Sequence, residues 1–444
     1  MTKFEVDFTE VQPERAVVAA MLAQGQDEEP ALEEIRELLR TAGVDTVGTV
    51  VQRREDPHPT TFLGSGKVEE LKRLVEHLDP DIVVVDDALS PRQQRALEDK
   101  LQRRVLDRTA VILDIFALHA HTSEGKTQVE LAQLEYNLQR MRGMWTHLER
   151  LGAGGGNAGP GVGTRGPGES QLETDRRLAR RRSSILRQRL QDREGRRRTQ
   201  RAARQGSIVP KVALAGYTNA GKSTLLNALT GAEVSMANRL FETLDPTTRA
   251  FERGGRRYLV TDTVGFIERL PHQLVDAFAA TLEETVLADL IVLVADGSQD
   301  EERLHAHLEA VRDVLAQVGA GELPTVLALN KVDRLDADGR ARLQRRHPDA
   351  VLVSAREQEN LDGLMDRIAT EFQNRWEHVE LVVPYTEAGI LSELYEAGAP
   401  VQRSDQEDGI HASAHLPKRL VPRVAQYRVD PSTDGAHDQP EVRA

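Results

Sequence analysis

The chain of 444 residues carries a formal net charge of −13 and contains no cysteine. Its length predicts about three domains with sizeable cores, and the missing thiol excludes disulfides, thiolate metal sites and a cysteine nucleophile. No run approaches the ~20 consecutive apolar residues of a membrane span, and the N-terminus lacks a secretory apolar core, so we expect a cytoplasmic protein without a membrane span. Aromatic residues form only 4% of the chain, which argues against a base-stacking surface for single strands.

Residues 1–120 alternate between strand-like and helical patterns. Apolar runs indicate strands at residues 15–22, 44–51, 81–86 and 104–107. Apolar residues at helical spacing indicate helices at residues 31–41, 67–78, 91–100 and 110–120. Pro91 after Ser90 is typical of a capped first helical turn. The alternation predicts a small α/β domain with a largely parallel sheet.

A short glycine-rich segment, Gly64-Ser65-Gly66-Lys67, precedes the second of these helices. It resembles the end of a phosphate-binding loop, but Thr61 stands where the complete motif needs its first glycine. We therefore predict a tight turn that caps the helix, and nucleotide binding at this turn remains the alternative.

Residues 121–205 are predicted to form a helical hairpin. Helical spacing continues from residue 124 to 151, and a glycine-rich stretch at 152–168 then excludes regular structure. From Glu173 to Arg204 the chain has thirteen arginines and four acidic residues. A basic helix on an acidic protein indicates a polyanion-binding element, with a solvated helix face as the alternative.

A complete phosphate-binding loop lies in the next region, residues 206–374. The apolar run Val212–Ala215 predicts a buried strand, and residues 224–229 predict a helix. Between them stands the motif G-x-x-x-x-G-K-[ST], as Gly216-Tyr217-Thr218-Asn219-Ala220-Gly221-Lys222-Ser223. Its backbone N–H groups would surround phosphate oxygens, Lys222 would reach the β- and γ-phosphates, and the Ser223 hydroxyl would bind Mg²⁺.

Further apolar strands follow at residues 258–262, 290–294, 324–329 and 350–353. They predict a doubly wound sheet with ligand loops at the carboxyl ends of its strands. Residues 375–444 form a different pattern, which predicts a small α+β domain with a disordered tail. Its strands are expected at residues 379–384, 409–415 and 424–429, with a helix at 390–397.

Two segments would complete the metal and γ-phosphate site. Asp262-Thr263-Val264-Gly265 ends a strand, so that Asp262 can hold Mg²⁺ through water and the Gly265 N–H can meet the γ-phosphate. The segment Phe241-Glu242-Thr243-Leu244-Asp245 supplies Thr243 as the favoured second Mg²⁺ ligand, with Thr247 and Thr248 as alternatives. Catalytic roles are thereby predicted for Lys222, Thr243 and Gly265.

The base-reading residues follow two later strands. In Asn330-Lys331-Val332-Asp333, the Asp333 carboxylate can accept hydrogen bonds from guanine N1–H and N2–H₂, a pattern that adenine lacks. Asn330 would join neighbouring loops, and the Lys331 stem would pack over the base. After the next strand, a backbone N–H of Ser354-Ala355-Arg356 could reach guanine O6. GTP and GDP are the predicted ligands.

Two positions shape the predicted mechanism. Phe266 follows Gly265 where many GTPases carry a water-orienting glutamine, so catalysis must be completed from elsewhere. Asn219 lies within the phosphate loop, and resemblance to potassium-using GTPases implies that it could ligate K⁺ beside the phosphates.

The chain also resembles the HflX family of ribosome-associated GTPases over residues 15–375. The glycine-loop motif Gly163–Glu173 carries most of the resemblance, although Ser170 stands where the family often has Thr. Further matches are the segments 62–67, 107–109, 114–116, 128–134 and 145–150.

The resemblance implies a GTPase that binds the large ribosomal subunit and splits or rescues stalled ribosomes under stress, with hydrolysis stimulated by the ribosome. A role in ribosome assembly or tRNA modification is the alternative, as is a non-enzymatic RNA-binding scaffold. The glycine tip is implied to approach the peptidyl-transferase centre, some relatives also use ATP through the N-terminal domain, and we expect a monomer off the ribosome. The predicted contacts with ribosomal RNA are Arg165, Arg180, Arg181, Arg182, Arg196, Arg197 and Arg198.

Overall fold

The computed structural model describes residues 13–141, 167–204, 209–231, 240–244, 246–267, 279–373, 376–396, 401–417 and 421–429. The chain divides into two compact units. The first unit comprises Met1–Arg193, Ala237–Asp245 and Leu270–Phe278, and the second unit comprises Glu194–Met236, Pro246–Arg269 and Ala279–Ala444.

The first unit contains a four-stranded parallel sheet in the order β2-β1-β3-β4. Its strands are β1 (Glu14–Leu22), β2 (Val44–Arg53), β3 (Ile82–Val85) and β4 (Arg104–Asp107). Its helices are α1 (Glu28–Thr41), α2 (Ser65–Leu78), α3 (Pro91–Leu101) and α4 (Arg108–His119). Strands and helices alternate because continuous apolar runs alternate with segments that have apolar residues at helical spacing. The predicted α/β fold is confirmed.

Two helix starts in this unit follow from local sequence. Ser90 caps α3 in a capping box with Gln93, and Pro91 occupies the first turn, where its missing N–H costs no hydrogen bond. Gly64 precedes α2, and its N–H donates to Gln52 Oε1 at 2.8 Å. Gly64 is thus the N-cap of α2, and Ser65–Lys67 form the first turn of the helix, which begins two residues earlier than predicted.

Two long helices lie side by side in the hairpin region, α5 (Ser123–Arg140) and α6 (Pro167–Arg204). Ala179, Ser183 and Leu186 of α6 are buried on the inner face, at helical spacing. Helix α6 begins earlier than the predicted residue 173. The predicted tip at 152–168, including Arg165, falls almost wholly outside the described residues, which resume at Pro167.

The second unit has a six-stranded sheet in the order β10-β9-β8-β5-β7-β6. Its strands are β5 (Lys211–Gly216), β6 (Thr247–Arg253), β7 (Arg256–Asp262), β8 (Leu290–Asp296), β9 (Thr325–Asn330) and β10 (Val351–Leu352). All pair in parallel except β6, which is antiparallel to β7. The helices are α7 (Lys222–Thr230), α8 (Ala279–Val286), α9 (Glu301–Gln317), α10 (Ala337–Arg346) and α11 (Leu361–Gln373).

A three-stranded antiparallel sheet ends the second unit, in the order β11-β13-β12. Its elements are β11 (Trp376–Val383), α12 (Gly389–Glu396), β12 (Val401–Gln406) and β13 (Gly409–Pro417). The strand predicted at 424–429 is wrong: α13 (Val421–Val424) and a 3₁₀ turn (Ala425–Tyr427) stand there. Val424 is buried in the core and Tyr427 packs against it, a spacing of three residues that fits a helical turn and not the alternation of a half-buried strand.

Strand β12 was not predicted, because it is an edge strand with almost no buried side chain and hence no apolar alternation. The predicted disordered tail lies outside the described residues. Among the helices that the structure describes, none is long and apolar enough to cross a membrane.

Candidate nucleotide site

The loop between β5 and α7 depends on its glycines. A Cβ at Gly216 would lie 2.1 Å from the Val294 carbonyl oxygen, and one at Gly221 would lie 2.3 Å from Asn330 Nδ2. Gly221 also has φ +91°, and Asn219 adopts φ +58°. The loop can therefore turn back over α7 and direct its N–H groups towards an anion at the helix N-terminus.

Lys222 lies under this loop. Its Nζ donates to the carbonyl oxygens of Gly216 at 3.1 Å and Tyr217 at 3.0 Å. Burial lowers the pKa of Lys222 to about 8, although the nearby Asp262 carboxylate acts in the opposite direction. A buried ammonium whose hydrogen bonds go to neutral carbonyls would gain from a phosphate, which supplies a charged hydrogen-bond acceptor.

The predicted magnesium ligands lie together. Leu214 of β5 pairs with Asp262 of β7, and Ser223 Oγ donates to Asp262 Oδ2 at 2.6 Å. A hydroxyl and a carboxylate are the hard oxygen donors that Mg²⁺ selects, so these residues fit the ion. Gly265 lies against the same loop, since a Cβ there would come within 3.0 Å of Thr218 Cα and 3.1 Å of Lys222 Nζ.

Thr263 and Phe266 support the loop from beneath. The Thr263 hydroxyl donates to the Leu214 carbonyl at 2.7 Å. The Phe266 side chain is 1% exposed, and its backbone exchanges hydrogen bonds with Thr218 N and Gly216 O at 2.7 and 3.1 Å. Phe266 is thus a core residue, and it cannot orient a water molecule. Val264, between them, is buried as well.

The predicted base-reading loops are joined by Asn330. Its Nδ2 donates to the Ala220 carbonyl at 2.9 Å, and its Oδ1 accepts from Ala355 N at 2.9 Å. Asp333 Oδ1 accepts from Ser354 Oγ at 2.6 Å, which orients the carboxylate beside the same loop. Val332 is buried beneath Asp333, and Arg356 is exposed.

Two features of the site were missed by the sequence analysis. Asp296, the last residue of β8, forms an ion pair with Lys331, with Nζ 2.8 Å from Oδ2. Tyr217 stacks on His307 of α9, with ring centroids 3.7 Å apart and an angle of 6° between the planes. Asp296 could have been found from the sequence, because it is a carboxylate at the end of an apolar strand. The stacking of Tyr217 on His307 depends on how α9 packs and could not.

The segment predicted to supply Thr243 belongs to the first unit. Leu240, Phe241 and Leu244 are buried, and the Phe241 ring lies 4.7 Å edge-on from that of Phe116. Glu242 and Thr243 are half-buried, and Asp245 lies outside the described residues. The metal role of Thr243 stays a prediction.

Both alternative threonines lie on β6. Thr247 pairs with Asp262, and the hydroxyls of Thr248 and Thr261 are 2.9 Å apart. Thr248 therefore uses its hydroxyl between the strands.

The predicted arginines differ in their surroundings. Arg180 and Arg181 are exposed on α6. Arg182 forms a bidentate ion pair with Glu130 of α5, at 2.7 and 2.9 Å. Arg196, Arg197 and Arg198 lie near the end of α6, and their side chains are outside the described part of the chain.

The phosphate loop, the carboxylates after β7 and β9, and the doubly wound sheet define a P-loop GTPase. Residues 211–331 match the family described as “50S ribosome-binding GTPase”. Residues 29–117 and 119–204 match the families described as “GTP-binding GTPase N-terminal” and “GTP-binding GTPase Middle Region”.

Relatives match nearly the whole chain. GTPase HflX of Lacrimispora saccharolytica is 42% identical over 421 residues, which cover 95% of this chain and 97% of that protein. GTPase HflX of Escherichia coli is 41% identical over 400 residues, which cover 89% and 92%. The chain belongs to the HflX family of GTPases, and it is a GTP-hydrolysing enzyme.

Proposed function

We propose that this GTPase binds the large ribosomal subunit in its GTP-bound form, that the subunit stimulates hydrolysis, and that the enzyme splits or rescues ribosomes under stress. The observation that carries the proposal is the exposed basic surface of α6, formed by Arg180 and Arg181. The family description of residues 211–331, which names 50S binding, supports the same partner.

Ion pairs across the hairpin divide the arginines of α6 into two groups. Arg182 pairs with Glu130, and Arg187 pairs with Glu135 at 2.8 Å, so these two residues, although exposed, already contact α5. Arg180 and Arg181 are exposed on the same helix and can reach phosphates of ribosomal RNA without breaking the hairpin. The proposed binding of ribosomal RNA therefore depends on the pairing of α5 with α6 as well as on the exposed basic surface of α6.

The nucleotide site supports dependence on a partner. Phe266 is buried in place of a water-orienting residue, so a further group must orient the attacking water. Ser223 and Thr243 would hold Mg²⁺, which neutralises charge on the phosphates when bound. Asn219 would ligate K⁺ from its exposed position in the phosphate loop. Off the ribosome, we propose a cytoplasmic monomer with domains at residues 1–120, 121–205, 206–374 and 375–444.

Co-sedimentation with purified large subunits tests the partner. We expect binding with a non-hydrolysable GTP analogue and little binding with GDP. The double variant Arg180→Glu/Arg181→Glu should bind more weakly, with a reduced dependence on salt. Lys72→Glu/Arg73→Glu on α2 makes the same change in net charge and serves as the matched control. Equal loss in both double variants, or binding that ignores the nucleotide, would contradict the proposal.

GTP turnover with and without large subunits, in KCl and in NaCl, tests the two catalytic parts. Stimulation by the subunit supports partner-completed catalysis, and loss of the rate in NaCl supports a K⁺ ion at Asn219. Equal rates in the two salts would remove the potassium assignment and leave the ribosomal assignment standing.

A further inference from the structure

Asp296 occupies a position beside the predicted base-binding loops. It ends β8, and in the parallel register it pairs with Asn330, the residue directly before Lys331. Its side chain is 10% exposed. A carboxylate at this depth needs partners for both oxygens.

Both oxygens of Asp296 have partners, and the partners differ. Oδ2 lies 2.8 Å from Lys331 Nζ. Oδ1 accepts from Ser298 N at 3.0 Å and from Ser298 Oγ at 2.6 Å. Burial alone would raise the pKa of Asp296, but Lys331 and Ser298 lower it overall, so the group is ionised at neutral pH. The turn at Ser298 thus orients the carboxylate towards Lys331.

Lys331 is fixed at both ends. Its backbone has φ +65°, a left-handed conformation that is uncommon for a residue with a side chain. The neighbouring Val332 N donates to the Val353 carbonyl at 3.3 Å. Asp296 binds the ammonium group at the far end of the Lys331 side chain. The aliphatic stem between the two ends is therefore restricted to few rotamers.

We propose that Asp296 is a positioning residue for guanine-nucleotide binding. It orients Lys331 so that the apolar stem is already in place as the surface on which the base packs, next to Asp333. Preorganisation of this kind raises affinity by reducing the entropy lost on binding. The choice of guanine remains with Asp333, and the inference rests on the GTPase activity of the family rather than on ribosome binding.

The isosteric variant Asp296→Asn provides the first test. The amide oxygen can still accept from Ser298, but the charge that attracts Lys331 is lost. We expect the Kd for fluorescent GDP, measured on the protein alone, to rise about tenfold. The KM for GTP should rise as well, with an unchanged kcat at saturation. Asp296→Glu should restore most of the affinity. An unchanged Kd, or a fall in kcat alone, would overturn the proposal.

A double-mutant cycle shows whether Asp296 acts through Lys331. Asp296→Asn should have almost no effect on Kd in a Lys331→Met background, because the residue being oriented is gone. Additive losses would refute the proposed role. Asp289→Asn is the matched control: this carboxylate precedes β8 at the opposite end and accepts from Lys211 N. Equal losses from Asp289→Asn and Asp296→Asn would show general damage to the strand and would also overturn the inference.

Discussion

The sheet of the first unit is parallel and that of the second is parallel except for one strand, and each has charged residues at its carboxyl edge. The two units use these charges differently. In the first unit, Asp107 accepts from Leu89 N at 3.0 Å, Ala110 N at 2.9 Å, Tyr136 Oη at 2.7 Å and Arg140 at 2.7 Å. Burial and the Asp107 charge raise the pKa of Tyr136, which keeps its hydroxyl protonated as a donor. This carboxylate is saturated by the protein itself.

Arg108, next to Asp107, also has its charge partners within the protein. It is 2% exposed and forms ion pairs with Asp86, at 2.7 Å, and with Glu34. Burial alone would lower the pKa of Arg108, yet the two carboxylates raise it overall. A buried charge with two partners is stable only while both remain.

In the second unit, three groups at the carboxyl edge, Lys222, Asp262 and Asp333, make contacts that a ligand can replace. Lys222 donates to backbone carbonyls, Ser223 donates to Asp262, and Ser354 donates to Asp333. We infer from the comparison that the edge of a parallel sheet binds a ligand where its charged groups are not already paired within the protein. Position in the fold is not sufficient.

Replacement of Lys222 should have the largest effect. Lys222→Ala removes the side chain that we assign as the direct charge partner of the β- and γ-phosphates, and we expect GTP hydrolysis to be abolished, with or without ribosomes. Phosphate release measures the rate. Lys211→Ala, at the exposed start of β5, is the control and should retain activity. Appreciable turnover by Lys222→Ala would contradict the interpretation that Lys222 exchanges its contacts with backbone carbonyls for contacts with the phosphates.

Loss of Arg108 should destabilise the first sheet and leave nucleotide binding unchanged. Arg108→Ala leaves two carboxylates without their buried partner, and we expect about 3–5 kcal/mol of lost local stability. Hydrogen exchange of the β3 and β4 amides measures it, with GDP affinity unchanged. The surface pair of Arg103 with Asp79 offers the control: Arg103→Ala should cost at most about 1 kcal/mol. Similar losses in both variants would remove the distinction between buried and exposed networks.

Asp333→Asn should change base preference. The amide can no longer accept from both guanine N–H groups, so GDP affinity should fall on the order of 100-fold and xanthosine diphosphate should gain. Competition binding with both nucleotides measures the change. Unchanged selectivity for guanine would refute the base-reading role of Asp333.

The smallest predicted effect is on pH dependence. In the nucleotide-free protein the pKa of Lys222 is about 8, below its usual 10.5. Since the unfolded chain binds this proton more tightly, Lys222 makes folded stability rise with pH between these values, and its cost is fully present below about pH 8. GDP binding needs the charged form, so its Kd should rise above pH 8 by at most about tenfold per pH unit. Lys222→Met should remove this dependence, whereas a slope that persists would assign it to another group.

Local sequence was sufficient to predict most of the strands and helices, and the residue types of the phosphate and base loops. The glycine spacing around Lys222 and the apolar runs before Asp262 and Asp333 each depend on a few neighbouring residues, so they can be read along the chain. The α/β alternation of the first unit followed in the same way. Edge strand β12 and the 3₁₀ turn Ala425–Tyr427 did not, because their side chains carry little burial pattern.

Pairing between distant residues was decided only by the tertiary structure. The composition of α6 cannot show that Arg182 pairs with Glu130, because Glu130 lies on another helix. Asp296 meets Lys331 only because β8 and β9 are neighbours in register. The motifs in the sequence therefore determined that the chain binds and hydrolyses GTP. The packing of distant elements decided which charged groups pair with one another within the protein.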